Sequence, residues 1–165
     1  MRQCVKKLLW VSVLIGAMAL IGCKATDKKT TPSSPIPTQK STMETLSIYT
    51  IDSDTMTLVP VKVKKSTDKL TPEYITSLVE ENLDDETVRV YSVEQENERV
   101  YLSFYRDGKP FVKCSKKMEN LILNCFANSL LDNLEECKKI VFRCEDKAYK
   151  SANYSFKINE VYASE

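Results

Sequence analysis

The sequence predicts a single α+β domain over residues 45–165, ordered β-β-α-β-β-α-β-β, with a mostly antiparallel sheet and two helices on one of its faces. Three observations point there. Six stretches alternate apolar and polar residues with the period of a strand, two carry apolar residues at helical spacing, and turn-forming residues separate them. About 120 residues is also an ordinary size for one domain with its own core.

The first strand spans about 46–51, with Leu46, Ile48 and Thr50 on one face, and the second 57–64, with Val59, Val61 and Val63 on one face. Asp52, Ser53 and Asp54 supply the turn between them. Thr71-Pro72-Glu73 reads as an N-cap followed by proline at the first helical position, and Ile75, Leu78, Val79 and Leu83 continue as an apolar stripe. Strands follow at about 87–94 and 99–106, joined by the polar loop Gln95-Glu96-Asn97-Glu98. Asp107-Gly108-Lys109-Pro110 ends the second of these, and Gly108, the only glycine after position 22, is expected to supply a positive φ there. A longer helix is expected from Ser115 to Asn133, with Met118, Leu121, Ile122, Cys125, Phe126 and Leu130 on its apolar face. The last two strands are placed at about 138–144 and 154–162, separated by Glu145 to Ala152.

The N-terminus has the three-part layout of an export signal over residues 1–22. Arg2, Lys6 and Lys7 precede an apolar run from Leu8 to Ile21, 14 residues long, which is short of the roughly 20 needed to span a bilayer. Leu20-Ile21-Gly22-Cys23 resembles the bacterial lipobox. That resemblance implies a diacylglycerol on the Cys23 thiol, removal of the peptide before it, and a protein held on the outer face of the cell membrane by two or three acyl chains. Residues 23–44 are Lys, Thr, Ser and Pro with little to bury, and read as a disordered linker able to reach on the order of 50 Å.

Within the domain, Leu46-Ser47-Ile48-Tyr49 with Asp52, Leu58-Val59-Pro60-Val61, the Pro72-led helix, the Val100-Leu102-Phe104 strand and the long helix leading into Lys138-Lys139-Ile140-Val141-Phe142 together resemble the GerMN domain. The chain departs from the family pattern at Glu80-Glu81-Asn82-Leu83, where a glycine is usual, and at Ser103-Phe104-Tyr105, where Asp-Phe-Ser is usual. The resemblance implies an extracytoplasmic module without catalysis, similar in fold to ring-building domains of sporulating cells.

The residue inventory narrows the chemistry. The chain has no histidine, which removes Ser-His-Asp and Cys-His nucleophiles and histidine-ligated zinc. With one glycine after the leader there is no phosphate-cradling loop, and no other cofactor is implied. From Thr45 onward 17 Lys and Arg stand against 21 Asp and Glu, and no basic aromatic stripe marks a nucleic-acid partner. Asp84-Asp85-Glu86, Glu94, Glu96 and Glu98 read as solvated loop acids, and Asp52 and Asp54 lack the glycine and glutamate of a calcium loop.

Cys114, Cys125, Cys137 and Cys144 lack the paired spacing of a zinc site. Cys137 and Cys144 flank a strand of about 23 Å, too long for a bridge. Cys125 sits on the apolar stripe of the second helix and Cys144 shares a strand face with Ile140 and Phe142, so a bridge, if formed, is expected as Cys125–Cys144 or Cys125–Cys137, with buried free thiols as the alternative. Tyr101 and Tyr105 should point away from the Val100, Leu102 and Phe104 face, and are candidates for an exposed partner-binding surface, with plain strand packing as the alternative. The leading expectation is a lipid-anchored, non-catalytic module that binds envelope proteins or copies of itself. The alternative is an extracytoplasmic binder of a small ligand or cell-wall glycan.

Overall fold

The computed structural model describes residues 44–164 except positions 68 and 84. The leader, the lipobox with Cys23 and the linker before residue 44 lie outside the described residues. The elements are β1 (Thr45–Asp52), β2 (Thr57–Lys64), α1 (Pro72–Asn82), β3 (Val90–Glu96), β4 (Arg99–Phe104), α2 (Lys116–Asn133), β5 (Lys139–Cys144), β6 (Lys147–Ala148) and β7 (Ala163–Ser164). The α+β class is as the sequence predicts.

β1 and β2 pair antiparallel with Leu46 opposite Val63 and Ile48 opposite Val61, so the apolar sets of both strands share a face. Their turn is closed by Asp52, whose Oδ1 accepts from the backbone N–H groups of Asp54 (3.0 Å) and Thr55 (2.9 Å). The Asp52 carboxyl sits below its usual range because Thr55 and Asp54 donate to it. This turn chemistry accounts for Asp52 without a cation.

The remaining strands form a second sheet in the order β3-β4-β5-β6, with β7 also on β5. β4 and β5 are parallel, Val100 beside Ile140 and Leu102 beside Phe142, and α2 is the crossover that parallel pairing requires. The other pairings are antiparallel. The apolar faces of β4 and β5 join residues of both helices in one core, in which Ile75, Val79, Leu102, Phe104, Ile122, Phe126, Leu130 and Phe142 are fully or almost fully buried.

One sheet was expected where two are found, and the reason lies on α2. The Ser129 Oγ accepts from the Tyr49 N–H (2.9 Å), and the Asn133 Nδ2 donates to the Ser47 carbonyl (2.7 Å). Polar side chains of the helix thus occupy the edge of β1 that a third strand would otherwise take. Both helices start as their sequences indicate: Thr71 Oγ1 accepts from Tyr74 N–H with Pro72 at the first turn, and Ser115 Oγ accepts from Met118 N–H.

The strand expected at 154–162 is not formed. Glu145 and Asp146, at φ 48° and 58°, make a two-residue turn that returns the chain along β5 as the short β6. Beyond it, Phe156 N–H donates to the Tyr149 carbonyl and Ser151 N–H to the Tyr154 carbonyl, both at 2.9 Å. The alternating aromatics of this segment serve a ring cluster instead of a sheet: Phe156 packs on Tyr149 (5.1 Å between centroids), Tyr154 (5.8 Å) and Tyr162 (5.6 Å). Gly108 also differs from expectation, since its φ lies outside the left-handed region; it is needed for space, because a Cβ there would lie 2.2 Å from the Thr87 carbonyl oxygen.

The anchor of the C-terminal segment is Glu119, in the first turn of α2 and wholly buried. Its Oε1 accepts from the Tyr149 hydroxyl and its Oε2 from the Asn153 amide, each at 2.6 Å, and Asn153 also donates to the Cys114 carbonyl (3.2 Å). Burial, and then the bond to Glu119, push the Tyr149 hydroxyl far up and keep it a donor. Glu119→Ala leaves the buried Tyr149 hydroxyl unpartnered and the half-buried Asn153 amide with only the Cys114 carbonyl, and is expected to cost about 2–4 kcal/mol in denaturant unfolding. Amide protection should fall first across residues 149–156. Ser129→Ala strands the Tyr49 N–H, with an expected loss of about 1–3 kcal/mol in the same measurement.

Candidate interaction site

β3 lies at one edge of the five-stranded sheet, and its pairing with β4 is interrupted between Val90 and Ser92. Such a bulge re-aims the extra side chain, here Tyr91. The Tyr91 ring meets Tyr105 edge to face, 5.2 Å between centroids at 81°, and both are exposed, Tyr91 at 45% and Tyr105 at 37%. The pair is held from behind. Tyr105 N–H donates to the Arg89 carbonyl (3.2 Å), the Arg89 guanidinium lies 4.9 Å from the Tyr105 ring centre, and the same group is paired to Asp107 at 2.5 Å. At the start of β3 the Glu80 Oε1 accepts from Val90 N–H (2.7 Å); burial raises the Glu80 carboxyl, against the lowering effect of that bond.

The sequence expectation paired Tyr105 with Tyr101, and the structure separates them. Tyr101 is only 7% exposed. The Arg143 guanidinium of β5 lies 4.0 Å from its ring centre, and Arg99 donates to its hydroxyl at 3.3 Å. Arg143 is itself fixed by the Ile158 carbonyl (3.1 Å) and the Asn159 side chain (2.9 Å). Tyr101 is thus roofed by arginine, and exposure at that position is corrected. Tyr91 was missed because alternation says nothing of a bulge.

The cysteines do not form a reactive centre. Cys125 and Cys144 are buried free thiols, so of the two expectations the bridges Cys125–Cys144 and Cys125–Cys137 are absent and the buried-thiol alternative holds at these two positions. Cys125 is buried in the core from α2, and Cys144 is buried at the end of β5. Burial pushes Cys125 up to about 12, and burial with the charge of Glu119 pushes Cys114 up to about 11, which suppresses the thiolate that exchange or metal binding requires. Cys144 is raised by burial too, with Arg106 opposing.

Among the described residues no group of three or more Cys, Asp or Glu could hold a metal ion, and no helix is long and apolar enough to cross a membrane. Asp85 is engaged by Lys109 Nζ (2.5 Å) and Thr87 Oγ1 (2.6 Å), while Asp84 lies outside the described residues.

No family model matches the chain, and no curated protein does. Among solved structures it is similar to the tandem GerMN domains of the sporulation protein GerM from Bacillus subtilis, at 19% identity and a TM-score of 0.49, over 81% of this chain and 50% of that one. The chain therefore matches about half the length of that tandem protein.

Alkylation of denatured, unreduced protein is expected to label the peptides of both Cys125 and Cys144, whereas the native protein should resist labelling at Cys125. A linked Cys125–Cys144 peptide in the mass spectrum is the contrary result.

Proposed function

We propose that the protein is a non-catalytic interaction module, exported and held by a lipid on Cys23 at the outer face of the cell membrane, where it binds envelope proteins or further copies of itself. The observation that carries the interaction reading is the exposed Tyr91–Tyr105 pair at the edge of the sheet. Tyrosine contributes large contact area at small entropic cost, and an edge strand offers backbone groups to a partner beside it. Support for the anchor is the Leu20-Ile21-Gly22-Cys23 sequence after a short apolar run. The setting in envelope or sporulation-related assembly is what the sequence resemblance implies.

Exposed tyrosines also offer faces on which a sugar ring can stack, which keeps a cell-wall glycan as the second reading. Partner crosslinking and light scattering separate the two.

Cys23→Ala is expected to move the protein from the membrane fraction to the soluble one and to remove the acyl mass; unchanged retention refutes the anchor. Tyr91→Ser with Tyr105→Ser should weaken partner crosslinking or self-association by about tenfold or more while the melting temperature holds. Intact association with loss of glycan retention would favour the second reading.

A further inference from the structure

We propose that a cleft at the turn end of the β1–β2 hairpin is a docking site for a peptide of a partner protein that inserts one bulky aliphatic side chain and carries lysine or arginine beside it. The assignment rests on the reading of the domain as an interaction module and names a second surface, with its partner chemistry.

The cleft has a volume of about 170 Å³. Ile51 of β1, Ser53 of the following turn, Leu83, Asp85 and Val88 of the α1–β3 connection, and Met118 and Ile122 of α2 line it. The space is thus bordered by the β1 end of the hairpin, the α1–β3 connection and α2. An apolar cavity of about 150 Å³ accepts a benzene-sized group, so this cleft has room for a single leucine-sized side chain.

The surroundings select what flanks that side chain. Glu80, Glu81 and Glu86 line an adjoining depression that shares Asp85. Asp85 is paired with Lys109, and Glu80 is engaged by the Val90 N–H, but Glu81 and Glu86 are exposed and enter no ion pair among the described residues. An apolar hole beside uncompensated carboxylates is complementary to an aliphatic anchor with a neighbouring cation, and the same charge steers such a peptide toward the site. Ile51 lies six residues along β1 from Thr45, about 20 Å at 3.3 Å per residue, so the cleft is at the end of the hairpin opposite the point where the chain enters it.

The test uses the full chain in detergent micelles and a fluorescent six-residue probe, one leucine followed by two lysines among glycine and serine, followed by anisotropy. Saturable binding is expected. Met118→Trp, which fills the cleft, and Glu81→Lys with Glu86→Lys, which reverses the shelf at exposed positions, should each weaken it by about tenfold or more, while Tyr91→Ser with Tyr105→Ser leaves it unchanged. Replacing the probe's leucine by alanine, or its lysines by glutamates, should weaken it comparably.

No saturation at millimolar probe, or equal binding of the glutamate probe, overturns the assignment. So does a tenfold gain in probe affinity for Lys28→Ser, Lys29→Ser and Ile36→Ser combined, which would show that the chain's own linker occupies the cleft. If the probe fails while partner crosslinking through Tyr91 and Tyr105 persists, the docking assignment falls and the interaction-module reading stands.

Discussion

A carboxyl group sealed from water has to be bonded on both of its oxygens, and in this domain Glu119 meets that demand only through residues that come some thirty positions later. Tyr149 and Asn153 supply the donors, so the first turn of α2 and the C-terminal segment are ordered together or not at all. The position suits the group, since the start of a helix favours an acidic side chain. Once Tyr149 is fixed, Phe111 packs against it at 4.8 Å, and Phe156 and Tyr162 extend the ring cluster to Phe142 of β5. A polar bond at one end of the helix therefore sets where the aromatic mass of the domain lies, and the aromatic mass in turn keeps water from the bond.

Much of this architecture is written locally. The two helices announce themselves through Thr71-Pro72 and Ser115 and through apolar residues at helical spacing, and β1, β2, β4 and β5 follow from alternation, because each of those signals is read within a few neighbouring residues. What could not be read depends on partners far away in the chain. Nothing near Tyr101 indicates that Arg143 will cover it, because that contact exists only once β4 and β5 lie parallel. The alternating Tyr154, Phe156 and Ile158 look like a strand, but a ring cluster uses the same pattern, and only Tyr149 reveals which it is. Glu119 sits among helix residues like any surface acid, and its burial is decided by a segment that periodicity misassigned. The exposed site was half readable: Tyr105 follows from its place at the end of β4, whereas Tyr91 owes its exposure to a bulge that leaves no mark in composition.

The division of labour between the cysteines and the tyrosines follows from the same physics. Cys125 and Cys144 serve as small buried groups, and burial that pushes Cys125 up to about 12 holds back its thiolate. The tyrosines split by environment: Tyr149 is a buried donor, Tyr101 a platform for two guanidinium groups, and Tyr91 and Tyr105 remain available to other molecules.

The seating of β1 has a mechanical meaning. The strand lies between β2 on one edge and the hydroxyl and amide of Ser129 and Asn133 on the other. A pull along the strand axis would load these lateral bonds in shear, all at once, where pulling across the hairpin would open them one by one. β1 therefore resists a pull along its own axis better than one across it.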